Sequence, residues 1–235
     1  MSYGVQGTVT MTIDDHKRAA ARAALDELPL DGIVGLGTGS TAGFFLEVLR
    51  GAIAAGRRYV GVPTSDETRQ RAAALGIPLL GDDGPWSIAV TVDGADEVVA
   101  SLDLIKGRGG SHTREKIVSA ASAKTVIIVD DTKCSRLLGE RRPVPVEVLA
   151  FAHRSTSARL LRFGRPVQRR LGGASFRTAD GNLLYDLEVP PIADPGLLEA
   201  ELLAIPGVVE SGLFIGRADI VLVGSSHGVE RLVRP

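Results

Sequence analysis

The chain has 235 residues, 44% of them hydrophobic and 23% charged, with a formal net charge of -1. That is ordinary for a globular protein of one large domain or two, and it provides no global field to draw nucleic acid or an anionic membrane. The single cysteine, Cys134, excludes an internal disulfide or cysteine metal cluster, and the four scattered histidines (His16, His112, His153, His227) lack metal-ligand spacing.

A metal-independent, cytoplasmic protein is therefore expected. No apolar run is long enough for a transmembrane helix, and Asp14-Asp15 ahead of His16-Lys17 is not the basic-then-apolar order of a signal peptide. One Trp and few aromatics give no base-stacking platform for single-stranded nucleic acid.

Residues 1 to about 12 read as a frayed terminus, followed by an Ala-rich helix over Asp14–Leu28 with acids in its first turn. Asp31-Gly-Ile-Val-Gly-Leu-Gly-Thr-Gly-Ser-Thr-Ala gives a strand, a glycine-rich loop and a helix running through Phe44 to Ala55. Free N–H groups and the helix dipole converge there, which suits an anion. The loop is no P-loop, because the Gly-Lys-Ser/Thr ending is missing, and Ser40 replaces the third glycine of a dinucleotide fingerprint. A tight structural turn is the bland alternative.

Arg58–Val62 reads as a strand, and a helix to Ala74 follows it with Ser65 and Asp66 as N-cap candidates. Gly76–Leu80 reads as a short strand. Ser87–Val92 is an apolar, β-branched strand that stops at Asp93-Gly94. Leu102–Ile105 is a second short strand, Lys106-Gly-Arg-Gly-Gly a loop, and Thr113–Ala123 a helix. Thr125–Val129 is a strand ending at Asp130-Asp131-Thr-Lys133. Lys133 is a candidate anion ligand or a surface lysine; Cys134 beside it reads as a packed residue.

This alternation predicts an α/β fold, a doubly wound, mostly parallel sheet. After about Gly139 the pattern changes. Strands at Pro143–Leu149, Pro166–Leu171, Asn182–Val189 and Val208–Phe214 alternate with helices at Arg154–Phe163 and Pro195–Ala204. The order βαββαβ is a split-βαβ, so 143–215 reads as an inserted ferredoxin-like α+β subdomain within a Rossmann-like domain of 1–142 and 216–235. Asp219–Val223 reads as a strand returning to the first sheet, and Gly228–Val233 as a final short helix.

The chemistry-bearing residues concentrate between Val90 and Ile117: two close carboxylates (Asp93, Asp96), a glycine-flanked lysine (Lys106) and Glu115. All lie on loops or a helix start after strands, where open α/β sheets bind ligands. Singly, each reads equally well as a turn, cap or solvated charge; together they read as an active site.

Several stretches in order resemble ribose-5-phosphate isomerase of the A type over nearly the whole chain. They are Gly35-Leu-Gly-Thr-Gly-Ser-Thr, Asp93-Gly-Ala-Asp-Glu, Lys106 with its loop, Arg114-Glu-Lys-Ile-Val, Asp131-Thr-Lys, Pro143-Val-Pro-Val-Glu-Val and Ile205-Pro-Gly-Val-Val-Glu-Ser-Gly-Leu-Phe. The resemblance implies interconversion of D-ribose 5-phosphate and D-ribulose 5-phosphate without metal or organic cofactor, in a homodimer or larger homo-oligomer. By motif, Thr38, Gly39, Ser40 and Thr41 would hold substrate. Asp93, Gly94, Ala95 and Asp96, with Lys106, Gly107, Arg108 and Gly109, would line the reacting end. Lys133 would bind substrate and Glu115 would accept the proton.

The residue types suit that reaction. An enediol route needs one base between C2 and C1, and burial can tune Glu115 for it. Lys106 and loop N–H groups can stabilise the oxyanion. Asp93, its pKa perturbed by Asp96, suits the O1–O2 proton shift and ring opening. One departure stands out: Arg108 interrupts the family's glycine run, and Ser111 and His112 replace small or apolar residues. Arg108 is expected in an allowed conformation, pointing away from the carbonyl end, and His112 at the helix start or exposed.

Two other readings remain. A non-catalytic sugar-phosphate sensor would not need Glu115 with Asp93 and Lys106. A nucleotide-dependent oxidoreductase would need an acidic residue about 20 positions after the glycine loop, and Ala54–Val62 contains none.

Overall fold

The computed structural model describes residues 11–234. The reading of a frayed terminus falls mostly outside them. Thr12, at its end, instead caps α1 (Ile13–Ala23) in a reciprocal capping box with Asp15. A single 3₁₀ turn continues α1 to Glu27.

The first half then alternates. β1 (Asp31–Leu36), α2 (Ser40–Ala54), β2 (Arg58–Pro63), α3 (Asp66–Ala74) and β3 (Val90–Asp93) follow in order. Ser65 caps α3 by accepting from the Thr68 N–H, as its side chain suggested. The expected strand at Gly76–Leu80 reduces to one bridge, Gly61 to Leu79, because Pro78 withholds an N–H. Two short strands, β4 (Glu97–Val98) and β5 (Leu104–Ile105), precede α4 (His112–Ala120) and β6 (Thr125–Asp130).

The remaining elements are β7 (Val144–Val148), α5 (His153–Leu160), β8 (Arg165–Gln168), β9 (Arg170–Leu171), β10 (Ala174–Ser175) and β11 (Leu183–Glu188). After them come α6 (Pro195–Leu203), β12 (Val208–Ser211), β13 (Leu213–Phe214), β14 (Ile220–Ser225) and β15 (Gly228–Val233).

The main sheet has the order β15-β14-β6-β3-β1-β2, parallel except for β15. The expected α/β class holds. Its apolar strands pack with α1 and α2 in a core that includes Ala20, Phe45, Leu49, Val92 and Ile128. A second, antiparallel sheet has the order β12-β7-β11-β8, the strand arrangement of a split-βαβ unit.

The expected C-terminal helix is a correction. Gly228–Val233 is a strand that turns back at Ser226-His227 and pairs antiparallel with β14 from Ser225–Gly228 to Ile220–Val233. The expected strand Val208–Phe214 is also broken. Gly212 bends it, so β12 stays in the second sheet while β13 joins β5 and β4 in a small third sheet. That break matters: it brings Phe214 to the carboxyl ends of the main strands.

Candidate active site

The site forms where parallel β1, β3 and β6 end side by side. β1 delivers the loop of Thr38 to Thr41, and the first turn of α2 leaves its N–H groups unpaired within the helix. β3 delivers Asp93. The two ends touch because Gly37 has no side chain: a Cβ there would lie 2.1 Å from Asp93 Oδ1. Asp93 Oδ1 accepts from the Thr38 N–H at 3.0 Å and the Gly94 N–H at 2.7 Å.

The β4–β5 hairpin then doubles back, with the Asp96 N–H donating to the Ile105 carbonyl. Asp96 and Lys106 therefore flank one hairpin end, and β13 holds β5 from the other side. Lys106 is buried, 3% exposed. Its Nζ lies 3.0 Å from Asp93 Oδ2 and 3.0 Å from Glu115 Oε2, and donates to the Gly94 carbonyl at 2.5 Å. Glu115 comes from the first turn of α4.

Two buried carboxylates share one ammonium, so the second negative charge is the costly one. Burial pushes Glu115 up to about 7, against the pull of Lys106, and the charges of Asp93 and Asp96 add to the rise. Burial raises Asp93 too, opposed by Lys106 and by the Gly94 and Thr38 N–H groups. At Lys106 burial works against the ammonium, but Asp93 and Glu115 outweigh it and hold its pKa above the ordinary value. Lys106 is a fixed cation; Glu115 is a carboxyl poised near neutral pH. Asp96 raises Glu115, whereas the expected action of Asp96 on Asp93 is not among that group's largest influences.

A cavity of about 320 Å³ opens on this cluster, bounded by Thr38, Gly39, Ser40 and Thr41, Gly94, Ala95 and Asp96, Lys106 to Gly109, Glu115 and Lys133. Every residue that the sequence placed at the site lines it except Asp93. Asp93 lies one layer beneath, behind Lys106, and is 2% exposed. A volume of this size fits a small polar molecule.

The family model of ribose 5-phosphate isomerase A (phosphoriboisomerase A) matches residues 60–228. The chain belongs to this family. A ribose-5-phosphate isomerase A of Gloeobacter violaceus is 48% identical over 226 residues, covering 94% of this chain and 97% of the relative. One of Pyrococcus abyssi is 42% identical over 95% of this chain and 100% of the relative. A solved D-ribose-5-phosphate isomerase in complex with phospho-erythronic acid matches with a TM-score of 0.92 at 38% identity, over 95% of this chain and 100% of its own. The Neisseria gonorrhoeae ribose 5 phosphate isomerase A matches with a TM-score of 0.88 at 36% identity, over 95% and 98%.

Arg108 needs no special backbone, as expected. Among the described residues other than glycine only Leu102 and Ala152 have positive φ. Arg108 is exposed on the cavity rim, and its N–H donates to Asp96 Oδ2 at 2.9 Å. His112 does start α4, but it is fully buried rather than exposed. It packs beneath Gly107, where a Cβ would lie 2.8 Å from its Nδ1. Burial pushes its pKa down to about 3, so it stays neutral and takes no part in acid–base chemistry near pH 7.

Sequence reasoning gave no role to Phe214 or Lys116. Phe214 lies under both lysines, its ring centroid 5.4 Å from Lys106 Nζ and 4.9 Å from Lys116 Nζ. The available signal is Gly212 ahead of it, which marks a break in an otherwise regular strand only once β5 is known to need a partner.

Proposed function

We propose that this chain interconverts D-ribose 5-phosphate and D-ribulose 5-phosphate by proton transfer through an enediol. The observation that carries the reading is Glu115 and Lys106 at 3.0 Å on the cavity wall, with burial lifting the carboxyl to about 7. A base that moves a proton off carbon and returns it to the neighbouring carbon works best with a pKa near the working pH. Glu115 takes the C2 proton of the aldose and delivers it to C1.

Negative charge then develops on the carbonyl oxygen. Lys106 supplies a fixed positive charge there in a dry setting, where it acts strongly. A second proton shifts between O1 and O2, and another opens the ring. Asp96 borders the cavity and Asp93 reaches it through the Lys106 ammonium, so we assign these steps to that pair. The α2 N-terminus, from Thr38 to Thr41, and Lys133 bind the phosphate and hydroxyl groups.

A non-catalytic sugar-phosphate sensor is disfavoured, because binding alone requires no buried carboxyl held near neutrality. The same reading takes 143–215 as a ferredoxin-like subdomain inserted into a Rossmann-like domain of 1–142 and 216–235, in a cytoplasmic homodimer or larger homo-oligomer. Phe151, 89% exposed just beyond β7, is a candidate for self-contact. No described helix is long and apolar enough to cross a membrane. The deciding experiment is turnover of ribose 5-phosphate in EDTA. Sustained conversion to ribulose 5-phosphate is expected; no conversion, or conversion only with added metal, sinks the proposal.

A further inference from the structure

Arg169 lies between β8 and β9, far in sequence from the catalytic loop. Asp186 on β11 orients its guanidinium: Nε donates to Oδ2 at 2.9 Å, and Nη2 bonds Oδ1. This fixed fork leaves Nη1 aimed at the loop after Lys106. There it donates to two successive carbonyls, those of Gly107 and Arg108, each at 2.9 Å. The Gly107 carbonyl also accepts from the Gly110 N–H at 3.0 Å.

A trans peptide is planar, with its carbonyl and N–H pointing in opposite directions. Holding two carbonyls therefore aims two N–H groups away from Arg169. The first belongs to Arg108, and it meets Asp96 Oδ2 at 2.9 Å. The second belongs to Gly109, which borders the cavity and whose N–H has no acceptor among the described residues. Gly107 makes the bend possible with φ of 112°, a conformation that side chains resist. A loop of glycines is otherwise the least constrained backbone in a protein, so something must hold it.

We propose that Arg169 is a positioning residue: it clamps the loop so that the Gly109 N–H points at the substrate oxygen that becomes negative, beside Lys106. The proposal rests on the isomerase reading. It adds that a side chain of the antiparallel sheet, outside the cavity's own strands, fixes an oxyanion donor. Arg suits the task where Lys does not, because its planar fork can hold Asp186 and both carbonyls at once.

The test uses the full-length protein and begins with Arg169→Lys, which keeps a positive charge for Asp186. Losing one oriented oxyanion donor typically costs about 100-fold or more in kcat. We expect kcat to fall by about that factor, with KM for ribose 5-phosphate changed less than about threefold and Tm close to that of the parent. Arg169→Ala should lose as much, and added methylguanidine should restore part of it saturably. Arg165→Ala, which removes an exposed pair with Glu188 on the same sheet, should leave kcat unchanged. Unaltered kcat in Arg169→Lys overturns the proposal. So does a loss that only tracks a lowered Tm and ignores methylguanidine. An inactive parent protein would instead count against the isomerase reading.

Discussion

Two buried lysines pack on one phenyl ring, and they have different fates. Lys106 and Lys116 both lie near Phe214, and each meets two carboxylates and one backbone carbonyl. Lys116 reaches Glu199 at 2.8 Å, Glu210 at 2.7 Å and the Ser211 carbonyl at 3.0 Å. Its carboxylate partners are 18% and 19% exposed, whereas those of Lys106 are 3% and 5% exposed.

That difference in water separates a brace from a carboxyl held near neutral pH. Around Lys116, solvent shares the load of the extra negative charge, and the cluster ties α4 to α6 and β12. Around Lys106 the extra charge has little solvent, so it raises Glu115 instead. Only the Lys106 cluster borders the cavity. The same donor set makes a brace in one place and, in the proposed mechanism, an acid–base group in the other.

The sharpest break in this comparison is Glu115→Gln. It should lower kcat by about 10³-fold or more, within the range of a lost general base, with KM little changed. In the parent, activity requires the ionised carboxylate, so kcat/KM should fall as pH drops below about 7. Near-normal turnover in the Gln variant, measured by ribulose 5-phosphate formation, removes Glu115 from the mechanism. Lys106→Met comes next, with an expected loss of about 10²- to 10³-fold in kcat from the missing oxyanion charge. If Lys116→Met lost activity to the same degree, the two lysines would not differ as described.

Lys116→Met should act on stability instead. Breaking a buried pair costs about 3–5 kcal/mol, and the partial exposure of Glu199 and Glu210 lowers the expectation to about 2–3 kcal/mol. Urea unfolding reads this, and kcat of the folded fraction should stay within about threefold of the parent, since one bracing contact is lost and no reacting group.

Much of this contrast lay outside the reach of sequence. Asp93, Asp96, Lys106 and Glu115 stand within one short passage, and local strand and loop signals placed them together. Lys116 stands in the same passage, yet its partners Glu199 and Glu210 arrive from elements more than 80 residues away. Arg169 stands 62 and 61 residues from its targets, which are two backbone carbonyls with no side-chain signature. His112 read as a helix-start or exposed residue; the start is where it lies, and its burial escaped because nothing local shows that Gly107 packs over it. The C-terminal strand was misread for a different reason. Val229, Leu232 and Val233 fit a helical spacing as well as a strand, and only pairing with β14 decides.

A smaller effect probes the dryness of the Lys106 cluster directly. The folded pKa of Glu115 is raised, so its proton-bound form stabilises the fold and that stability is lost as pH rises through about 7. Glu115→Gln removes the charge that burial penalises. Its Tm should exceed that of the parent at pH 8 and match it near pH 4.5. Equal Tm differences at both pH values would mean that the carboxylate is not strained by burial.

The smallest expected effect is at Arg108→Gly, which puts glycine at every position from 107 to 110. Arg108 has no positive φ, so glycine relieves no strain and adds backbone freedom worth about 0.5–1 kcal/mol. The two contacts that hold this residue, its N–H on Asp96 and its carbonyl on Arg169, are backbone groups that survive the substitution. Turnover should therefore stay within about threefold, because the clamp and the Lys106 cluster are both intact. A large gain in kcat/KM would show that the arginine obstructs the cavity it borders, and that the loop is set by the Arg108 side chain rather than by Arg169 behind it.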